Sequence, residues 1–252
     1  MKKVALITGA GGCIGLNLVN GLLQKGWDVI GSDISFKKET INHSANKLLW
    51  INQDLDQFVN NNYAQDEFKK KIDTFTKGKK LDCVIHNAAI QKLNSFQKLS
   101  DNDWISTFNI NFFSPVIINR ILLPKLIKSE GSIVNITSIH ANQTKSDFSC
   151  YASSKAALNC LTRSMAVEIG KKVRVNAIEP AAILTPMLKM GFKESDQKVV
   201  NLLSNYHPSG NIGTPDDILR AVLFLIDPRN KFLNGCILPL NGGIDSKLND
   251  PN

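Results

Sequence analysis

Short apolar runs alternate with longer, helix-compatible stretches from one end of the 252-residue chain to the other. Seven runs are candidate strands, at residues 3–8, 28–33, 48–52, 81–86, 132–137, 174–178 and 235–239. Several are continuous apolar runs, such as Val-Ala-Leu-Ile, which is expected of a parallel sheet covered by helices on both faces. The helix candidates lie near residues 14–25, 64–77, 101–128, 151–170 and 214–226. This alternation predicts an α/β fold, a doubly wound sheet of about seven parallel strands with helices on both faces.

The chain has no internal repeat, low-complexity tract or Pro/Gly/Ser-rich linker, so we expect residues 1–245 to form a single domain. The least regular segment is 181–213, between a strand and the last predicted helix. A connection of this length is usually functional, and we predict that it forms a lid over a substrate. The polar residues 246–252 are predicted to be a flexible tail.

The composition is that of an ordinary globular protein, 43% hydrophobic and 21% charged. The net charge of +8 is spread over separate short lysine groups without interleaved aromatic residues, so no nucleic-acid partner is expected. No uninterrupted apolar run approaches the roughly 18–20 residues that span a bilayer, and the first apolar run is too short for a signal peptide. We therefore expect a cytoplasmic protein without a membrane partner. The five cysteines are scattered and the histidines are not clustered, which argues against a disulfide framework or a metal site.

A tyrosine, a lysine and a serine form a candidate acid/base group. Tyr151 and Lys155 are four residues apart at the start of a predicted helix, and Ser138 follows a predicted strand. A free phenol has a pKa of about 10 and is a poor base at neutral pH. A lysine one helical turn along the same face supplies a positive charge that stabilises the phenolate, and the serine hydroxyl can hold the substrate oxygen. All three are expected at the carboxyl edge of the sheet, where ligands bind.

The first predicted strand leads directly into a glycine-rich turn and then a helix. The turn fits the spacing T-G-x-x-G-x-x-G, with glycines at Gly9, Gly12 and Gly15, whereas G-x-G-x-x-G fails because Ile14 occupies its last position. Glycines in such a turn let backbone N–H groups approach a pyrophosphate at the helix N-terminus, where the helix dipole favours anions. The turn therefore predicts a dinucleotide site of the Rossmann type.

Asp33 ends the second predicted strand, where an acidic residue can bond both ribose hydroxyls of the adenosine half of a dinucleotide. Its carboxylate would repel a 2′-phosphate, so NAD is favoured over NADP as the cofactor. Lys37 and Lys38 follow closely and could accommodate a phosphate.

Several motifs in a fixed order resemble the short-chain dehydrogenase/reductase family, in its compact single-domain branch. The resemblance covers roughly residues 3–243. It depends on the glycine turn, Asp54-Leu55, His86-Asn87-Ala88-Ala89, Asn111, the run 133–138, Tyr151-x-x-x-Lys155, the run 180–185 and Asn241-Gly242-Gly243.

The resemblance implies a Rossmann-like catalytic domain and assigns roles to individual residues. Asn111, Ser138, Tyr151 and Lys155 would form a catalytic tetrad, with Asn111 anchoring a water that relays protons to Lys155. The cofactor would contact Gly9, Gly12, Cys13, Ile14, Gly15, Asp33, Asp54, Leu55, Asn87, Ala88, Ala89, Tyr151, Lys155, Pro180, Ile183 and Thr185. The long helices around 101–128 and 151–170 would pair between subunits in a homodimer or homotetramer.

The sequence departs from the family pattern at three points. Cys13 stands where the compact branch usually has glycine, His86 begins a motif that usually begins with Asn, and Ala181 replaces the glycine that usually follows Pro180. The turn around Cys13 resembles the branch of the family that modifies nucleotide sugars.

The polar stretch between Ser138 and Tyr151 predicts a small polar or sugar-like substrate, contacted by Ser138, His140 and Gln91. The expected reaction is NAD(P)-dependent interconversion of a secondary alcohol and a ketone, with Tyr151 as acid/base. Three alternatives stay open: a 3-oxoacyl-thioester reductase, a nucleotide-sugar epimerase or dehydratase, and a non-catalytic dinucleotide-binding regulator.

Overall fold

A computed structural model of the chain describes residues 2–35, 41, 47–78, 80–190 and 196–248. Seven parallel strands form one sheet in the order β3-β2-β1-β4-β5-β6-β7. The strands are Val4–Thr8 (β1), Asp28–Asp33 (β2), Leu48–Asn52 (β3), Cys83–His86 (β4), Ser132–Ile136 (β5), Arg174–Pro180 (β6) and Ile237–Leu240 (β7). The predicted doubly wound, Rossmann-like sheet is confirmed.

Nine α-helices lie within the described ranges. They are Cys13–Gln24 (α1), Leu55–Val59 (α2), Asn62–Phe75 (α3), Asp101–Phe108 (α4), Ser114–Ser129 (α5), Ser149–Ile169 (α6), Pro186–Met190 (α7), Asp196–Tyr206 (α8) and Pro215–Leu225 (α9). The start of α9 follows from its sequence, because Thr214 and Asp217 form a reciprocal capping box and Pro215 occupies the first turn. Ser100 and Asp103 begin α4 in the same way. Helices α2, α7 and α8 were not predicted.

Both faces of the sheet are buried, as the continuous apolar strands predict. Alternate residues of β1 enter different cores: Ala5 and Ile7 pack with α1 and α9, whereas Leu6 packs with α3 and α5. Every strand therefore needs apolar side chains on both faces, and this leaves the strand ends as the places where polar chemistry is accessible.

A single π-helical turn, Asn109–Phe113, joins α4 to α5, so Asp101–Ser129 forms one long helical segment. By length and composition alone this segment could cross a membrane. However, Ile118, Leu122 and Leu126 are fully buried and belong to the core that lies against the sheet. The apolar character of the segment is therefore explained by its packing as a core helix of an α/β domain.

The connection 181–213, predicted to be a lid, contains α7 and α8 rather than an irregular loop. An isolated parallel bridge between Ile183 and Gly213 closes its base. Its residues 191–195 lie outside the described residues, as do the tail residues 249–252 and the Lys37 and Lys38 that bear on cofactor choice. The lid and the flexible tail stay predictions.

Gly15 lies inside α1 at a point of close contact between the helix and the glycine turn. A Cβ atom there would overlap the carbonyl oxygen of Gly9 and lie 2.7 Å from Ala10 Cα. We expect Gly15→Ala to lower the free energy of unfolding by about 2 kcal/mol, although alanine is the better helix former. The control is Gly12→Ala, whose Cβ would lie 3.5 Å from Gly9 O in ordinary contact. Urea denaturation measures both, and equal stability of the two variants would contradict the close approach.

Candidate active site

A cavity of about 600 Å³ opens at the carboxyl edge of the sheet. Most of the predicted cofactor residues line it: Gly9, Gly12, Cys13, Ile14, Asp33, Asn87, Ala88, Ala89, Pro180, Ile183 and Thr185. Ser138, Tyr151, Lys155, Gln91 and His140 line it as well. Four predicted residues are not among its described lining residues: Gly15, Asp54, Leu55 and Asn111.

The N-terminus of α1 is open toward the cavity. Gly12 is the N-cap, and in this part of the described chain no side chain caps the helix and no acidic residue stands in its first turn. Gly9 has a φ of +63°, and a Cβ there would lie 2.7 Å from Ala88 Cα, so the turn requires glycine at this position. Unsatisfied N–H groups and the helix dipole together fit a pyrophosphate. Cys13 is the first helical residue, where glycine is not required.

Asp33 lies at the carboxyl end of β2 and joins that strand to the glycine turn. Its Oδ2 accepts a hydrogen bond from Gly11 N at 2.8 Å, and its Oδ1 accepts from Ile34 N at 2.7 Å. The half-buried carboxylate is therefore held at the edge of the cavity, next to the N-terminus of α1. Its position suits recognition of a ribose.

Hydrogen bonds of Thr8 and Asn87 connect the carboxyl ends of β1 and β4. Asn87 Nδ2 donates to Gly9 O at 2.9 Å, and Thr8 Oγ1 accepts from the backbone N–H groups of Asn87 and Ala88, each at 3.2 Å. The prediction missed Thr8, although a hydroxyl residue immediately before the glycine turn was a signal for this role. These bonds keep Ala88 and Ala89 against the turn.

Asp54 and Leu55 take structural positions instead of facing the cavity. Asp54 is the N-cap of α2, accepting a hydrogen bond from Asp56 N at 2.9 Å, and Leu55 is buried in the core beneath the sheet. The backbone of this segment lies beyond β3, so a contact with adenine stays a prediction.

Ser138, Tyr151 and Lys155 meet at the other end of the cavity, and all three are buried. Ser138 follows β5, and Tyr151 stands in the first turn of α6 with its phenol next to the Ser138 side chain. Lys155, one turn further along, has its Nζ 5.6 Å from the centre of the Tyr151 ring. Nζ donates to Ile136 O at 2.8 Å, so the ammonium is anchored to the end of β5.

Burial dominates the titration of this pair. It raises the pKa of Tyr151 to about 12, against a smaller lowering by the nearby Ser138 hydroxyl. It lowers the pKa of Lys155 to about 7. The chain alone therefore keeps Tyr151 protonated at neutral pH, which suits proton donation to a carbonyl oxygen. The lowering of this phenol pKa by Lys155 and an oxidised nicotinamide stays a prediction about the loaded site.

Asn111 lies in the π-helical turn and connects two segments near the tyrosine. Its Oδ1 accepts from Ile90 N at 2.9 Å, and its Nδ2 donates to Ile90 O and to Ser154 Oγ, each at 3.0 Å. Ser154 Oγ in turn donates to Tyr151 O at 2.7 Å. Asn111 thus positions the loop after β4 against α6, and π-helical turns are frequent at such sites. The proton relay through water stays a prediction.

His140 covers Tyr151 on the substrate side. Its ring stacks on Phe148 with centroids 4.2 Å apart and lies edge-on to Tyr151 at 6.0 Å. Burial, together with the nearby charge of Lys145, lowers the pKa of His140 to about 4. The imidazole is therefore neutral at pH 7. Its Nδ1 lies 3.2 Å from Thr144 Oγ1, so it interacts with the polar loop that precedes α6.

Glu179 is a buried carboxylate that the sequence reasoning missed. Its Oε2 accepts from Asn159 Nδ2 at 2.7 Å and from Asn142 Nδ2 at 2.8 Å. These bonds connect β6, α6 and the turn after Ser138. Next to it, Ala181 N donates to Leu240 O at 3.2 Å, and Ala181 is not among the described non-glycine residues with positive φ. The alanine therefore replaces the usual glycine without backbone strain.

The lowered pKa of Lys155 makes a prediction for stability. The folded state releases the Lys155 proton above about pH 7, whereas the unfolded chain holds it up to about 10.5. Stability from this group therefore rises with pH in that window. Relative to Lys155→Met, the free energy of unfolding of the natural protein should rise by up to about 1.4 kcal/mol per pH unit between pH 7 and 9. Urea denaturation of both proteins is measured at each pH, and the contribution of the buried thiols cancels in the difference between them. A difference in the free energy of unfolding that stays constant with pH would contradict the lowered pKa of Lys155.

Comparisons with known proteins find dehydrogenases and reductases that match this chain along nearly its whole length. Residues 9–245 match the family model described as enoyl-(acyl carrier protein) reductase. The chain is 32% identical over 251 residues to 7alpha-hydroxysteroid dehydrogenase of Escherichia coli (strain K12), covering 98% of this chain and 96% of the relative. Ligand-free aldohexose dehydrogenase of Thermoplasma acidophilum is similar with a TM-score of 0.86 at 27% identity, covering 100% of this chain and 98% of that one. A 4-hydroxyisoleucine dehydrogenase complexed with NADH is similar with a TM-score of 0.87 at 27% identity, covering 98% of this chain and 100% of that one.

The resemblance read from the motifs is thus confirmed by matches that run along nearly the entire chain. The chain belongs to the short-chain dehydrogenase/reductase family and is an NAD(P)-dependent oxidoreductase that interconverts alcohols and ketones.

Proposed function

We propose that the protein uses NAD to oxidise a polar or sugar-like secondary alcohol, or to reduce the matching ketone, with Tyr151 as the acid/base. One observation carries the proposal: the Ser138 and Tyr151 side chains, with Lys155 beside them, line the same cavity as Asp33 and the open end of α1. When bound there, a nicotinamide dinucleotide supplies or takes up the hydride at the carbinol carbon.

The residues divide the remaining work. The Ser138 hydroxyl holds the substrate oxygen beside the phenol, and Tyr151 gives that oxygen its proton during reduction or removes it during oxidation. The Lys155 ammonium stabilises the phenolate left after donation, from a position fixed by Ile136 O. Because all three side chains are buried, water competes little for the proton.

A polar substrate is supported by four polar side chains of the cavity. Gln91, His140, Gln143 and Thr144 line it, and His140 lies edge-on to Tyr151. The similar aldohexose and 4-hydroxyisoleucine dehydrogenases are named for hydroxylated compounds. Neutral His140 and the two amides offer both donors and acceptors to hydroxyl groups.

Tyr151→Phe keeps the ring and removes the proton. We expect kcat to fall by about 10²- to 10⁴-fold, with NADH affinity within about twofold of the original. Turnover of polyols, sugar derivatives, steroid alcohols and hydroxyacyl thioesters is measured by absorbance at the nicotinamide band. Tyr63→Phe is the control, since Tyr63 is 75% exposed on α3. Retained turnover in Tyr151→Phe would exclude the assigned role.

The same panel separates the other functions. Bound NAD retained through purification without net reduction would favour a nucleotide-sugar epimerase or dehydratase. Tight dinucleotide binding without any turnover would favour a regulator. A 3-oxoacyl-thioester reductase is the second candidate, favoured by 28% identity over 245 residues to a 3-oxoacyl-[acyl-carrier-protein] reductase of Thermotoga maritima and by the apolar side chains Met187, Leu188 and Leu203 in the cavity. Such a reductase normally draws on NADPH.

NAD is the proposed cofactor because Asp33 would stand next to the 2′-position of the adenosine ribose. We expect NADH to bind at least about tenfold more tightly than NADPH, because a 2′-phosphate would meet the carboxylate. Asp33→Asn removes the charge and retains an acceptor for Gly11 N. It should therefore reduce the ratio of the NADPH dissociation constant to the NADH dissociation constant. Asp28→Asn at the other end of β2 is the matched control. Nucleotide fluorescence titration measures the affinities, and tighter NADPH binding by the natural protein would favour the thioester reductase.

We propose assembly into a homodimer or homotetramer through α4, α5 and α6. Trp104, Phe108, Phe112 and Phe113 form a row with successive ring contacts of 6.4, 6.3 and 5.3 Å along this segment. Val167 on α6 is 86% exposed. Of the four, Phe113 is exposed and the others are partly buried, and apolar rows that reach the surface commonly mark interfaces. Light scattering of the pure protein tests the assembly, and a monomer would contradict it.

A further inference from the structure

His207 follows α8 at the end of the predicted lid and lines the cavity. It is only 4% exposed. Its backbone N–H donates to Leu203 O and Ser204 O, and its carbonyl accepts from Gly210 N at 2.8 Å. The residue is thus held firmly between α8 and the turn that leads to α9. Neither the acid/base group nor the dinucleotide turn uses it.

One nitrogen of the His207 ring already makes a hydrogen bond within the protein. Its Nδ1 lies 2.7 Å from Leu203 O. A carbonyl oxygen can only accept a hydrogen bond, so Nδ1 carries the hydrogen. In the neutral ring the second nitrogen, Nε2, is then a bare acceptor.

Nε2 is buried and has no hydrogen-bond partner among the described residues. The Nδ1 edge of the ring faces Leu203, and Cδ2 lies toward Gly242, where a Cβ atom would be 3.3 Å away. Of the buried side-chain polar atoms that lack a partner in the described ranges, Nε2 alone belongs to a residue lining the cavity. A buried acceptor without a partner is costly, which indicates a ligand that satisfies it.

We propose that His207 determines substrate specificity: its Nε2 accepts a hydrogen bond from a substrate hydroxyl other than the one that reacts at Tyr151. The proposal rests on the proposed function and narrows its substrate to compounds with at least two hydroxyl groups. Leu203, which His207 contacts, is apolar, as are Met187 and Leu188 in the lining of the same cavity. A single acceptor in an apolar wall rejects an analogue that lacks the matching hydroxyl, because that acceptor is then left unpaired.

The test compares cyclohexanol with 1,2-, 1,3- and 1,4-cyclohexanediol, which share one ring and place the second hydroxyl at three distances. Two variants separate the ring nitrogens. His207→Asn places its amide near the Nδ1 position and keeps a donor for Leu203 O, whereas His207→Gln places its amide near the Nε2 position. Three quantities are measured for both variants and the natural protein: kcat/KM for NAD-dependent oxidation of each alcohol, the midpoint temperature of thermal unfolding, and the affinity for NADH.

We expect the natural protein to prefer at least one diol over cyclohexanol. His207→Asn should lower kcat/KM for that diol by about tenfold, mainly through KM, and leave cyclohexanol within about twofold. His207→Gln should retain most of the preference, as a purely structural role would not require. NADH affinity should stay within about twofold in both variants.

Three results would overturn the role of His207. An equal loss for cyclohexanol and the diol in both variants would assign it to folding. Weaker NADH binding in step with the loss would assign it to the cofactor. Turnover of cyclohexanol or steroid alcohols without preference for any diol would exclude recognition of a second hydroxyl by His207, while the proposed function would still hold. If no alcohol or ketone reacts while NADH still binds, the proposed function itself fails.

Discussion

Parallel pairing of the central strands is the constraint on which the site depends. Thr8 of β1 pairs with His86 of β4, and His86 pairs with Asn135 of β5. Because these strands run in the same direction, the segments that follow them leave the sheet side by side at one edge. The glycine turn, Asn87 and Ser138 are therefore neighbours in space, although up to 129 residues separate Gly9 from Ser138 in the sequence.

Register alone does not hold these loops, because both sheet faces are apolar and the loops project beyond them. Buried polar side chains supply the missing contacts. Thr8 and Asn87 join the ends of β1 and β4, Asn111 joins the loop after β4 to α6, and Glu179 joins β6 to the turn after Ser138. Each of these groups is satisfied by backbone or amide partners, so it fixes geometry without adding a free charge to the cavity.

The sequence predicted the sheet and most of the cavity because those features have local signals. Continuous apolar runs, a glycine turn and the spacing from Tyr151 to Lys155 are visible within a few residues of each other. A contact of Asp54 and Leu55 with adenine stays a prediction; the motif did not show that their side chains cap α2 and fill the core. Thr8, Ser154 and Glu179 were missed because their partners are distant in sequence. Helix α7 was missed because its five residues are too few to show a periodic pattern, and α8 was missed although its apolar residues recur at helical spacing.

Burial of the acid/base pair sets the chemistry that the chain performs without help. Removing Tyr151 and Lys155 from water penalises the phenolate and the ammonium alike, so each is displaced toward its neutral form, with pKa values of about 12 and 7. A pair in this condition is ready to give a proton, since the phenol keeps it at neutral pH. Accepting a proton from an alcohol requires the phenolate, which needs more positive charge than Lys155 alone provides at its anchor on Ile136 O. The direction of proton transfer is therefore linked to the charge of whatever occupies the adjoining part of the cavity.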